Sequence, residues 1–408
     1  MGTLKTVRHR RAAAALLLPA LIGAAGCGTG DRPDAGRAVY GLPLAEQFQA
    51  ATDATRGAGT AAFVSTLTYG AAGGDAVQRA EGTQDYARGT SRVDLVFGAG
   101  RRFPARSLAY LRQSAPDGRQ TLATADEDVY VRQGTSAWLK YTPEAVNALG
   151  EATGVIAAHA AGDAAPYSGT LADLVPRVIP REKPERREDG SRVYRVTVLP
   201  EVAAELLPRD LQSLQQDWGA EPVRLTVRLD SHGRLASATA DLTPVLARLH
   251  EREVLADVTR LRAEYRIGAF GEPVKGKGPE GGGEPVKDAR TVLVALAAIA
   301  DGRCADAGGT GLGTVAVARP VDCADRHDLR VVSQVEVDRT FPGEHEDMSA
   351  YRYGLEQCHH DWAAAPDAWE RGTGAPEVIG TSDLTVSTSG GASETAVTGR
   401  YTCYVTSS

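Results

Sequence analysis

Cysteine is missing from residues 28 to 303, and the 408 residues hold one asparagine, six lysines, two methionines and six phenylalanines. With so little lysine, 39 of the 45 cations are arginine. There is no CxxC or HxxxH pair, no GxSxG, SxxK or HExxH, and no phosphate-binding loop with its lysine. Those gaps argue against a structural zinc site and against the common hydrolase and nucleotide-binding chemistries. The expectation is a protein that is not an enzyme, with no cofactor and no metal. Excess positive charge is lacking too. The net charge is −7 overall, and from Cys27 onward there are 41 basic against 52 acidic residues. Nucleic-acid binding is therefore not expected, because phosphate affinity comes from clustered cations. The apolar stretch Ala12–Ala25 is fourteen residues, short of the ~20 that a spanning helix needs.

What is present begins at the N-terminus. Met1–Arg11 carries four cations and no acid, Ala12–Ala25 is apolar, and small residues lead to Cys27. This is the layout of an export signal. Ala24-Ala25-Gly26-Cys27 resembles a bacterial lipobox. The resemblance implies that Cys27 receives a diacylglyceryl group and becomes the mature N-terminus. Residues 1–26 are then the lipoprotein signal peptide. Two or three acyl chains, palmitate among them, would hold the protein to the outer face of the cell membrane. Residues 27–40 are rich in Gly, Asp, Pro and Arg and read as a flexible tether.

Setting Cys27 aside leaves Cys304, Cys323, Cys358 and Cys403, an even set confined to the last 105 residues. Outside the cytoplasm an even set pairs, and four cysteines allow three pairings. Cys304–Cys323 and Cys358–Cys403 are expected. The alternative is a metal site drawing on His327, His345, His359 and His360, which the spacing disfavours.

Gly271-Glu272-Pro273-Val274-Lys275 recurs as Gly283-Glu284-Pro285-Val286-Lys287 around a Gly-rich stretch, which marks 275–287 as a linker. Two domains are expected, 41–274 and 288–408. The second has nine basic against 18 acidic residues, whereas 28–287 is near balance.

In the first domain, period-2 alternation predicts strands at Ala61–Tyr69, Ser91–Phe97, Asp128–Arg132, Leu139–Tyr141, Val223–Leu229 and Leu261–Ile267. Helices are expected at Pro43–Arg56, Glu144–Ala152, Thr170–Leu174, Pro200–Trp218 and Pro244–Val254. Strands without regular intervening helices point to an antiparallel sheet. The fold class is α+β, a curved antiparallel half-barrel sheet packed on helices. A small disulfide-bonded α+β domain follows. In that domain Leu329–Val337, Val378–Ser387 and Thr395–Val405 read as strands, Phe341-Pro342-Gly343 as a turn and Ser349–Ala364 as a helix. Val292–Ile299 is ambiguous between buried strand and helix.

The order of elements, with Gly82-Thr83 and Tyr86, Arg92-Val93-Asp94, Asp128-Val129-Tyr130 with Trp138, and the closing Phe270-Gly271-Glu272-Pro273-Val274, resembles the bacterial lipoprotein-carrier fold. It is most similar to the LppX/LprG-like lipoproteins of actinobacteria. The Ala-, Gly- and Arg-rich composition also suits a GC-rich genome of that kind. The resemblance implies a hydrophobic cavity for acyl chains. Its candidate walls are Val93, Leu95, Val223, Leu225, Val227, Leu229, Tyr265 and Ile267. Gly302-Arg303-Cys304, Val321-Asp322-Cys323, His327, Phe341-Pro342-Gly343 and Cys358 resemble the septum-formation domain of actinobacterial envelope proteins. The expected function is a membrane-anchored envelope lipoprotein that binds lipid or acyl chains. The alternative is a non-transporting scaffold or sensor that binds envelope proteins.

Overall fold

A computed structural model describes residues 36–112, 118–133, 136–150, 169–208, 211–212, 215, 217–274, 279–310, 315–342, 347–366, 369, 376–380, 385–388 and 394–406. The signal peptide, Cys27 and most of the tether lie outside the described residues, as does His345. Residues 35–408 form one compact unit.

Helices α1 (Arg37–Tyr40) and α2 (Leu44–Arg56) lead into β1 (Thr60–Ala71), β2 (Gly74–Asp85) and β3 (Thr90–Ala99). Helix α3 (Ala105–Arg112) precedes β4 (Arg119–Ala125), β5 (Asp128–Gln133), β6 (Trp138–Tyr141) and α4 (Pro143–Leu149). Then come α5 (Leu171–Leu174), β7 (Glu185–Arg186), β8 (Arg192–Val198), α6 (Pro200–Ala204), β9 (Val223–Leu229), β10 (Leu235–Asp241), α7 (Thr243–His250) and β11 (Val258–Gly268). These strands, with β12 (Val286–Asp288), form one curved, unclosed sheet in the order β12-β6-β5-β4-β3-β2-β1-β11-β10-β9-β8-β7. Every pairing is antiparallel except β12 on β6.

The alternation in β9 decides which face is which. Val223, Leu225, Val227 and Leu229 are buried, while Arg224, Thr226 and Arg228 are exposed. The buried side meets α2 through Phe48 and Ala51 and α7 through Val245, Leu246 and Leu249. Each of these Phe, Val and Leu side chains contributes roughly 1.5–3 kcal/mol when fully buried. Helix α2 is fixed edge-on to β8, where Phe48 packs T-shaped on Tyr194 at 4.9 Å and the Tyr194 hydroxyl donates to Gln47 Oε1 at 2.6 Å.

The opposite face is wet over β9 and β11 but dry over β4–β6. There Ala123, Tyr130 and Trp138 are buried with Val286 from β12 against them. Glu284 secures that edge. It accepts from Arg132 Nη1 at 2.6 Å and from Trp138 Nε1 at 3.0 Å. The Arg92 and Arg132 guanidiniums lie 5.4 and 4.6 Å from the Trp138 ring centroid. The segment 275–287 thus ends as part of the first sheet. Beyond it, Ala289 of α8 (Ala289–Val292), Leu293 and Val317 share the core of that sheet, and the Tyr141 hydroxyl donates to the Thr310 carbonyl at 2.7 Å.

The second, seven-stranded sheet contains β13 (Val294–Ala295), β14 (Cys304–Asp306), β15 (Val317–Val321), β16 (Leu329–Pro342), β17 (Glu377–Gly380), β18 (Thr385–Thr388) and β19 (Glu394–Thr406). Helix α9 (Asp347–Ala363) packs on it. Disulfides join Cys304 to Cys323 and Cys358 to Cys403. The second of these ties α9 to β19. Phe341 and Pro342 do not make the expected turn. They finish β16, opposite Thr395 and Glu394. Val292–Ile299 is neither one strand nor one helix, since β13 and a 3-10 turn at Leu296–Ala298 divide it.

Candidate functional site

Where the C-terminal end of α2 meets the sheet, the first core is not filled. A pocket of about 280 Å³ opens between α2, the end of β2, α5 with the turn after it, β10 and β11. Leu235, Ile267, Ala172 and Pro176 supply apolar surface, and Tyr86 and Tyr265 supply rings with hydroxyls. Thr52, Thr55, Arg56, Gln84, Thr170, Asp173 and Arg177 supply the polar groups.

Each element is held by a local bond. Thr55 Oγ1 donates to the Ala51 carbonyl at 2.7 Å and accepts from the Leu235 amide at 2.9 Å, which fastens α2 to β10. The Tyr86 amide donates to the Gly59 carbonyl at 2.8 Å, so the turn after β2 follows the end of α2. Tyr265 is stacked on Phe63 with centroids 5.8 Å apart. The Phe63 ring reaches over Gly82, where an added Cβ would stand 3.0 Å from it and 2.5 Å from the Arg92 carbonyl oxygen.

Asp173 enters the pocket as the acid of a capping box. Its Oδ2 accepts from the Thr170 amide at 2.8 Å and the Thr170 hydroxyl at 2.9 Å, which satisfies donors at the start of α5. Burial nevertheless pushes its pKa upward, against those bonds. Burial also pushes the Tyr86 phenol up to about 12, with Arg56 opposing the rise, and holds Tyr265 well above its usual range. Both phenols remain protonated at neutral pH. Arg177 is engaged in a two-bond pair with Glu205.

Of the eight residues expected to wall a cavity, Tyr265 and Ile267 line this pocket. Val93, Leu95, Val223, Leu225, Val227 and Leu229 lie in the continuous packed core. The polar members come from segments between residues 52 and 177 with no shared motif, and sequence reading did not single them out. Thr170–Leu174 was legible as a short helix, and its Thr-x-x-Asp box was the one available signal. His327 Nδ1 lies 2.8 Å from the Asp325 carbonyl oxygen, and His359 and His360 are exposed on α9. Among the described residues no three His, Cys, Asp or Glu side chains are grouped to hold a metal. None of the described helices is long and apolar enough to cross a membrane.

No protein-family model matches the sequence, and no curated protein matches it. Among solved structures, a DUF1329 family protein from Desulfovibrio piger is similar at 8% identity and a TM-score of 0.24, over 58% of this chain and 97% of that one. The MucA/MucB complex of Pseudomonas aeruginosa is similar at 10% identity and a TM-score of 0.24, over 89% and 93%. A putative outer membrane lipoprotein-sorting protein domain from Vibrio parahaemolyticus is similar at 10% identity and a TM-score of 0.19, over 59% and 95%. At such scores the likenesses carry no argument about function.

Proposed function

We propose that the chain is an envelope lipoprotein, anchored through Cys27, whose half-barrel binds an amphiphile such as a lipid or an acyl chain. One observation carries the binding reading: between the end of α2, α5 and the sheet the packing leaves a pocket that combines apolar walls with polar groups. Sites of that composition bind small molecules. Each CH₂ buried there would contribute about 0.8 kcal/mol. The role is binding rather than catalysis. Native mass spectrometry of residues 35–408 tests it. Bound or added amphiphile should be retained, and Ile267→Trp should reduce retention. A clean apo mass that ignores added amphiphile would refute it. For the anchor, Cys27→Ser should move the protein out of the membrane fraction, and unchanged fractionation would refute it.

A second reading, a scaffold or sensor for envelope proteins, is favoured by the packing of Val93, Leu95, Val223, Leu225, Val227 and Leu229 into a closed core. The septum-formation likeness of the C-terminal region fits that reading too. Under it, cross-linking in the native envelope should trap a protein partner, and Ile267→Trp should leave that partner bound.

A further inference from the structure

Resting on the amphiphile-binding reading, we propose that the pocket selects an uncharged, hydroxyl-bearing end: Tyr86 and Tyr265 donate to it and Asp173 accepts from it. Both tyrosines line the pocket, and neither hydroxyl makes a hydrogen bond among the described residues. Hydroxyls that line one pocket with no protein partner can each bond a ligand oxygen placed there. Asp173 lines the same space. Thr170 bonds its Oδ2 and the Gly169 backbone also acts on it, but a carboxylate offers about four acceptor positions.

Charge then discriminates. A carboxylate end would lie beside Asp173, and of the two lining cations Arg177 is already matched by Glu205 and Arg56 also has a protein partner. An ammonium end would pass Arg56 and Arg177 at the rim, and it has no acceptor for two phenol protons. An alcohol satisfies both sides at once, because its oxygen accepts from a phenol while its proton goes to Asp173. The pocket is the size of about nine waters, which suits a chain of roughly eight carbons or the end of a longer one.

The test titrates residues 35–408 at pH 7 with 1-octanol, octanoate and octylammonium, followed by ligand-observed NMR. Octanol should bind at least about fivefold tighter than either ion. Tyr86→Phe and Tyr265→Phe should each weaken octanol by about 3–10-fold and leave octanoate unchanged, with thermal melts confirming that both fold. Equal or tighter binding of octanoate or octylammonium would overturn the selectivity while leaving the pocket a binding site. Unaltered octanol affinity in the double Tyr→Phe variant would overturn the donor assignment. If none of the three probes binds, the amphiphile reading falls and this proposal falls with it.

Discussion

The first sheet packs one continuous core against α2 and α7 without a single cysteine, whereas the C-terminal sheet divides its core into two clusters of eight buried residues and adds two disulfides. A core that large offsets chain entropy by burial alone, and a small one needs covalent help. The difference appears in residue choice. Phe48, Tyr69, Trp138, Tyr141 and Tyr194 are fully buried around the first sheet, while the C-terminal clusters are mostly Val and Ala, with Cys358 and Cys403 in one of them.

Breaking the contrast most severely should be the loss of Cys358–Cys403, which closes a loop of 45 residues. Chain-entropy arguments give about 4 kcal/mol for a loop of that length, and about 3 kcal/mol for the 19-residue loop of Cys304–Cys323. The double variant Cys358→Ala/Cys403→Ala should therefore raise amide exchange through α9 and β19, with β9 and β11 unchanged. Exchange rising equally in both sheets would show that the regions unfold as one.

Leu225→Ala makes the complementary cut. Leu225 is 1% exposed in the middle of β9. The expected loss is about 2–5 kcal/mol on denaturant unfolding, and the cavity left behind sets where in that range it falls. This variant should weaken the first sheet while both disulfides remain intact by mass.

A smaller effect is expected where the regions join. Glu284→Gln keeps the shape but removes the charge that faces Arg132 and Arg92 over Trp138. Glu284 is about one-third exposed, so solvent screens the pair. About 1 kcal/mol should be lost, seen as faster exchange at β12 and α8 and a rise in Trp138 fluorescence quenching. No local change would mean that β12 is held by its backbone alone.

Legibility in the sequence followed the size of the buried side chains. Val223–Leu229 was read to the residue, because four large apolar groups alternate with Arg, Thr and Arg. Strand β2 was not, because its inward positions are Ala76, Ala80 and Gln84, too small or too polar to signal. Strand β4 hid its period by being buried on both faces from Gln120 to Ala123, under the Trp138 cluster. Strand β10 hid it through the register shift between Leu235 and Ser237. The predicted helix at Pro200–Trp218 is interrupted: α6 ends at Ala204, a turn leads to Pro208, and Leu211 and Gln212 are helical again. The pocket was the least legible feature. Its members are brought together only by tertiary contacts between α2, α5 and the sheet, and no spacing along the chain encodes that.

The smallest expected effect concerns Asp173, whose burial makes the pocket a source of pH dependence that the C-terminal sheet shares at Asp328. The folded-state pKa of Asp173 lies above its ordinary value of 3.8, because desolvation outweighs the bonds from Thr170. The folded chain therefore holds that proton more tightly than the unfolded chain. Stability from this group is greatest below about 3.8, falls as pH rises through the interval up to the folded pKa, and is flat beyond it. Asp173→Asn stays neutral at every pH and still presents an amide oxygen to Thr170. The variant should lose that slope and match or exceed the parent protein at pH 7. Asp328 leaves its own slope in both proteins, so the difference between the two melting-temperature curves isolates Asp173. Curves that run parallel from pH 4 to 8 would show that the carboxyl is no more costly to ionise in the fold than outside it.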